Sequence, residues 1–184
     1  MNIIVKPYNS ELCYCRPDTT WEKEGRDLYI PEGIDTVLWT PVVFAKVCKA
    51  GKCVSPKFVS RYYDAVGFGV LIYCNDKDIA FSSCMDHTSV LPAPLYNPIV
   101  LENEGNILEI RIGNMNRSFQ TSRLMIDSIE QALCKASERV SLRIGDMIAH
   151  EIAPLEIIGV RQDKEIIMKA EFCENTLFDF KVIF

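Results

Sequence analysis

Few side chains in this sequence have types and spacings suited to chemistry. The 184 residues contain two histidines, His87 and His150. His150 is followed at once by Glu151, just beyond Gly145-Asp146 and the apolar run Met147 to Ala149. An imidazole titrates near neutral pH, so His150 with Glu151 is the natural acid–base candidate. The competing reading is a surface or hydrogen-bonded histidine, because neither a nucleophile nor a metal-ligand set stands beside it in the sequence. Lys46, Arg61 and Asp64 are the other charged candidates; each also fits a solvated residue on a half-exposed strand. Ser-His-Asp triads and P-loops are missing, and Gly67-Phe-Gly69 lacks the third glycine and following helix of a dinucleotide fingerprint.

Eight cysteines raise the question of zinc or disulfides. The close sets are Cys13-x-Cys15, Cys48-x4-Cys53 and Cys84-x2-His87. None repeats the paired two-residue spacing that closes a tetrahedral zinc site, so no metal is expected from them. Cys74, Cys134 and Cys173 lie within or beside apolar patterns, as small buried thiols do. A chain of this length without a secretion signal needs no disulfides.

The elements that must position any site are mostly strands. From Thr121 to Ala149, Met125, Ile129, Ala132, Leu133 and Ala136 recur at three- and four-residue spacings, which predicts one amphipathic helix docked on a core. Thr121 or Ser122 can cap its start, and Gly145-Asp146 turns the chain into a strand. Asn2 to Lys6 reads as a short strand, and Glu11 to Pro31 as largely irregular. Val37 to Val47, Val66 to Tyr73, Ile107 to Ile112, Leu155 to Val160, Glu165 to Phe172 and Leu177 to Phe184 read as strands. Arg161 to Lys164 and Glu174 to Thr176 are turns, as is Asn75-Asp-Lys-Asp. The prolines from Leu91 to Pro98 mark a connector or sheet edge. Phe178, Phe180, Val182 and Phe184 alternate along the last strand, a face for the domain's own core or for a subunit interface. Trp21 and Trp39 are expected as core or interface anchors. The fold class is mainly β with one substantial helix (α+β), a mixed roll or sandwich.

Composition sets outer bounds. One domain, 1–184, accommodates this length, with residues 1–36 as an irregular N-terminal segment and 37–184 as the roll. An apolar share of 48% with 24% charged residues is ordinary for a globular protein. No run approaches bilayer-spanning length and the start lacks a signal-peptide pattern, so a cytoplasmic location without membrane partners is expected. A net charge of -5 without Lys/Arg clusters argues against nucleic acid.

The order of several motifs carries a resemblance. Ser122-Arg-Leu-Met-Ile, the helix, Ser137 and Leu142-x-x-Gly145-Asp146-x-Ile148 resemble the C-terminal half of the fumarylacetoacetate hydrolase family. Upstream, Thr40-Pro-Val-Val-Phe-Ala-Lys46, Gly51-Lys-Cys-Val and Pro56 resemble that family's Pro, Phe and Lys stretch, and Ser60 to Ile72 takes the place of its signature strand. The resemblance implies the family's β-roll and a homodimer. It also implies a small oxo-acid ligand, with His150-Glu151 in the substrate loop and Lys46, Arg61 and Asp64 approaching the same cleft. In that setting His150, Glu151 and Lys46 are the catalytic candidates, and Arg61 and Asp64 the ligand-binding ones.

The family holds a divalent metal with two strand glutamates two residues apart and a further aspartate. Such spacing points both carboxylates to one side, where a hard cation can take them. Those glutamate positions fall here on Ala65 and Gly67, or on Asp64 and Val66 after a one-residue slide. The interval for the third ligand is short, spanning Cys74 to Met85, and Asp76 and Asp78 within it read as turn residues. The family's Thr-Gly-Thr-Pro loop is replaced by Ala149-His-Glu-Ile, and its Asn-Gly turn by Gly113-Asn-Met-Asn. The expectation is therefore a family-like protein without the metal-dependent site and without a cofactor, serving as a small-molecule binder or assembly subunit. The alternative is a divergent carbon–carbon hydrolase, decarboxylase or tautomerase using Mg or Ca.

Overall fold

A computed structural model describes residues 1–75 and 81–184. Asp76 and Asp78, expected in a turn, lie outside the described residues. Among the described residues the backbone forms two sheets and one long helix. The first sheet contains β1 (Ile3–Lys6), β2 (Tyr14–Arg16), β3 (Trp21–Glu22), β5 (Thr36–Val47), β6 (Tyr63–Cys74), β7 (Ser89–Val90), β10 (Met147–Glu151) and β11 (Glu156–Val160). Its order is β2-β1-β10-β5-β6-β7-β3, with β11 also on β5, and it curls into a half-barrel. The second contains β4 (Leu28–Tyr29), β8 (Ile107–Ile112), β9 (Met115–Gln120), β12 (Glu165–Phe172) and β13 (Asn175–Ile183), in the order β4-β13-β12-β8-β9. No helix is long and apolar enough to cross a membrane among the described residues.

The hairpin of β5 and β6 is the spine of the molecule. The two strands pair antiparallel along nearly their whole lengths. Both read as almost continuous Val, Ile, Leu and Phe runs because both faces are covered. One face carries Trp39, Val43, Ala45, Val66, Phe68, Val70 and Ile72 into the main core, shared with α1 (Arg123–Arg139) and the second sheet. There the Phe68 and Phe172 rings stack with centroids 4.3 Å apart, tying the sheets together. The other face carries Val42, Phe44 and Leu71 into a smaller core inside the curl, with Ile3, Val5, Leu91, Met147 and Ala149.

The helix follows its sequence period, burying Met125, Ile126, Ile129, Ala132, Leu133 and Ala136. Its cap differs from expectation. Ser122 holds the N-cap position without a side-chain bond to the helix, while the Thr121 hydroxyl donates to the Asn103 carbonyl at 2.6 Å. Thr121 therefore anchors the incoming chain to the loop before β8. Phe178, Phe180 and Val182 of β13 are buried in the domain's own core, and Phe184 packs partly against it. Trp39 is likewise in the core.

Other departures have local causes. Residues 1–36 supply β1 at the expected Asn2 to Lys6 and, in the stretch expected to be irregular, the short strands β2 to β4. Asn106 to Gln120 forms a hairpin whose second arm, β9, is mostly exposed and lacks the apolar alternation that marks a strand. Cys173 is exposed, not a buried thiol. With Glu174 it makes a two-residue turn between Phe172 and Asn175, both turn residues having positive φ (48° and 68°), as a tight hairpin requires.

Candidate functional site

Strand geometry sends alternate side chains to opposite faces. Along β6, Ala65, Gly67, Gly69, Leu71 and Tyr73 therefore point inside the curl, opposite Val66, Phe68, Val70 and Ile72. The register places Gly67 beside Phe44 and Ala65 beside Lys46 on β5; Phe44 and Lys46 pair in turn with Ala149 and Met147 on β10. Lys46 is exposed at the open end of this inner face. Asp64 is exposed and lies at the register shift between Tyr63 and Ala65, where the alternation of β6 is interrupted. Arg61 ends the 3-10 helix Pro56–Arg61, its guanidinium 5.1 Å from the Phe58 ring centroid.

His150 and Glu151 are neighbours in sequence and face opposite sides of β10. His150 lies toward α1, its Nδ1 3.4 Å from the Lys6 carbonyl, while the Lys6 Nζ donates to Gln131 Oε1 at 3.3 Å. Burial, reinforced by the Lys6 charge, pushes the imidazole down to about 4 from 6.5. The unfolded chain then binds more protons than the native one between those values, so stability rises with pH across that window and falls on acidification. In a His150→Gln variant the urea midpoint should fall less steeply from pH 6.5 to 4 than in the parent; equal slopes would show that His150 does not titrate this way.

Glu151 points inside the curl and is 4% exposed. The Tyr73 hydroxyl donates to its Oε1, the Tyr8 backbone N–H donates to its Oε2 at 3.0 Å, and the Tyr14 hydroxyl bonds that of Tyr73. Burial holds both phenols protonated, Tyr14 pushed up to about 12 and Tyr73 higher still. Arg16, 1% exposed, lies with its guanidinium 5.0 Å from the Tyr73 ring centroid. It donates to the Ser83 carbonyl (2.6 Å), the Ile72 carbonyl (2.8 Å) and Thr88 Oγ1 (2.8 Å). Both oxygens of Glu151 thus already accept hydrogen bonds. Sequence reasoning missed Tyr14, Arg16 and Tyr73, although the alternations Tyr14-x-Arg16 and Gly69-x-Leu71-x-Tyr73 put them on inner faces.

The residues do not fit a divalent cation where the family would hold one. Ala65 and Gly67 bring no oxygen, and of the slid pair only Asp64, exposed at the register shift, carries a carboxylate, Val66 being buried in the main core. A Cβ added at Gly67 would come within 2.7 Å of the Phe44 ring and 2.9 Å of Leu95 Cδ2, so the path of a glutamate there is filled with hydrocarbon. Hard divalent ions take six or more oxygens, several of them carboxylate. Among the described residues no group of three or more His, Cys, Asp or Glu could hold a metal.

Neither a protein-family model nor a curated protein matches the sequence. Solved structures do match its shape. A fumarylacetoacetate hydrolase family protein of Yersinia pestis CO92 superposes with a TM-score of 0.79 at 14% identity, over 99% of this chain and 92% of its own. Maleylpyruvate hydrolase of Sphingobium sp. SYK-6 gives 0.75 at 13% identity, over 99% and 69%. Fumarylpyruvate hydrolase of Pseudomonas aeruginosa, solved with Mn2+ and pyruvate, gives 0.76 at 11% identity, over 100% and 89%. The half-barrel of β5, β6 and β10, closed by one long helix and a second sheet, is the fumarylacetoacetate hydrolase fold, and this chain has it.

Proposed function

We propose that this protein has kept the fumarylacetoacetate hydrolase fold without its metal-dependent centre and serves as a small-molecule-binding or assembly protein. The observation that carries this reading is the hydrocarbon packed at Gly67 by Phe44 and Leu95. The enclosure of Glu151 by Tyr73 and the Tyr8 amide supports it, because that carboxylate fills space at the position the resemblance gives to the substrate loop. Lys46, at the open end of the same face, is the residue left to meet a small acid.

Calorimetric titration with Mg2+ and Mn2+, paired with a decarboxylase and tautomerase screen on oxaloacetate-like acids, tests the proposal. No saturable heat up to about 1 mM metal, the weak end of protein sites for such cations, and no chelator-sensitive turnover are expected. Micromolar binding, or turnover abolished by chelator, would establish instead a divergent enzyme acting on a small oxo-acid.

A further inference from the structure

Cys15 on β2, and Cys13 immediately before that strand, lie on the reverse side from Tyr14 and Arg16. Cys15 pairs with Ile4, and Cys13 packs against the same core as Ile4, so both thiols face α1. Together with Ile4, Lys135, Ala136 and Arg139 they line a cavity of about 140 Å³ between β2 and the helix. Cys15 is exposed and Cys13 half-buried, so the pair is reachable from solvent. Lys6, Lys135 and Arg139 all lower the energy of a thiolate at Cys13, against a burial effect that keeps the free thiol protonated.

We propose that Cys13 and Cys15 bind one soft monovalent metal ion of the copper(I) class. Two thiolates suit such an ion in two-coordination, whereas zinc asks for four ligands. Among the described residues no third His, Cys, Asp or Glu completes a larger set around them. Binding converts two thiols and M+ into an M(SR)2 unit of charge -1, with release of two protons. That single negative charge meets Lys135 and Arg139 at the cavity and Lys6 beside it, opposed by the Asp146 carboxylate, whose charge, after burial, raises the Cys15 thiol. Lys135 reaches Glu11 at 3.6 Å in a pair whose acid is exposed, a contact weak enough to yield. A metal displaces thiol protons as it binds, so the raised thiol pKa makes uptake pH-dependent without preventing it.

The test is anaerobic titration of the reduced full chain with copper(I) against a chromophoric chelator, repeated with silver(I), with stoichiometry read by native mass spectrometry. One ion per chain is expected. Cys13→Ser and Cys15→Ser should each weaken binding by at least about 100-fold, since either leaves a single thiolate. Cys134→Ser and Cys53→Ser, which alter thiols outside this cavity, should bind as the parent does. Circular dichroism of each variant confirms that a loss is not unfolding. Failure of the parent to compete with the chelator, or equal binding by Cys13→Ser or Cys15→Ser, would overturn the proposal. Both outcomes are independent of the Mg2+ and Mn2+ titration, which probes the other side of the sheet.

Discussion

Gly67→Glu is expected to cost this protein a large part of its stability. The new side chain must displace the fully buried Phe44 ring and Leu95, and it brings a carboxylate into their apolar packing. Overpacking of this kind costs about 1–3 kcal/mol, and an unpaired buried charge adds several more. Against a total of about 5–15 kcal/mol for a typical domain, a loss of about 4 kcal/mol or more removes roughly a quarter of the stability at the least and most of it in a marginal domain. The urea midpoint followed by circular dichroism measures the effect. Adding Phe44→Ala should recover part of it by opening the space. A Gly67→Glu protein as stable as its parent would mean that the inside of the curl is not filled as described.

Arg16→Met is expected to destabilise by about 3 kcal/mol. Methionine replaces the apolar stem and leaves the Ser83 carbonyl, the Ile72 carbonyl and Thr88 Oγ1 without the guanidinium donor. The Thr88 hydroxyl keeps its bond to the Met85 carbonyl, whereas a buried acceptor left without a donor costs about 1–3 kcal/mol, partly offset because a buried charge no longer has to be desolvated. The structural consequence should be local: residues 83–88 are tied to β6 by the Ile72 amide, which donates to the Thr88 carbonyl, and by Arg16, so loss of the guanidinium should loosen this segment and limited proteolysis should cut there first. An unchanged midpoint together with an unchanged cleavage pattern would remove Arg16 from that role.

The long elements were legible because their periodicity is strong. Thr121 to Ala149 shows a clean helical repeat, and β5 and β6 are β-branched runs that could hardly be anything but covered strands. The short strands β3, β4 and β7 were not legible, since two residues make no pattern; they exist because β3 lies beside β7, and β4 beside β13, far away in sequence. The candidate site divides the same way. The lack of carboxylates at Ala65 and Gly67 could be read from the residue types alone. What fills the gap could not, because Leu95 reaches Gly67 and Tyr73 reaches Glu151 across 28 and 78 positions, respectively, along the chain. The period of two does separate His150 from Glu151, a division that adjacency in the sequence conceals.

The parallel pairing of β1 with β10 has a consequence for biosynthesis. Ile3 to Lys6 find their partners in Met147 to His150, and the Asn2 amide donates to Asp146 Oδ1 at 2.7 Å across 144 positions. Ribosomes add about 5–20 residues per second, so β1 emerges roughly 7–30 s before the strand that will cover it. During that interval its apolar edge is open on the nascent polypeptide. The half-barrel therefore closes only after Met147 to His150 have been made, and until then that edge of β1 has no partner.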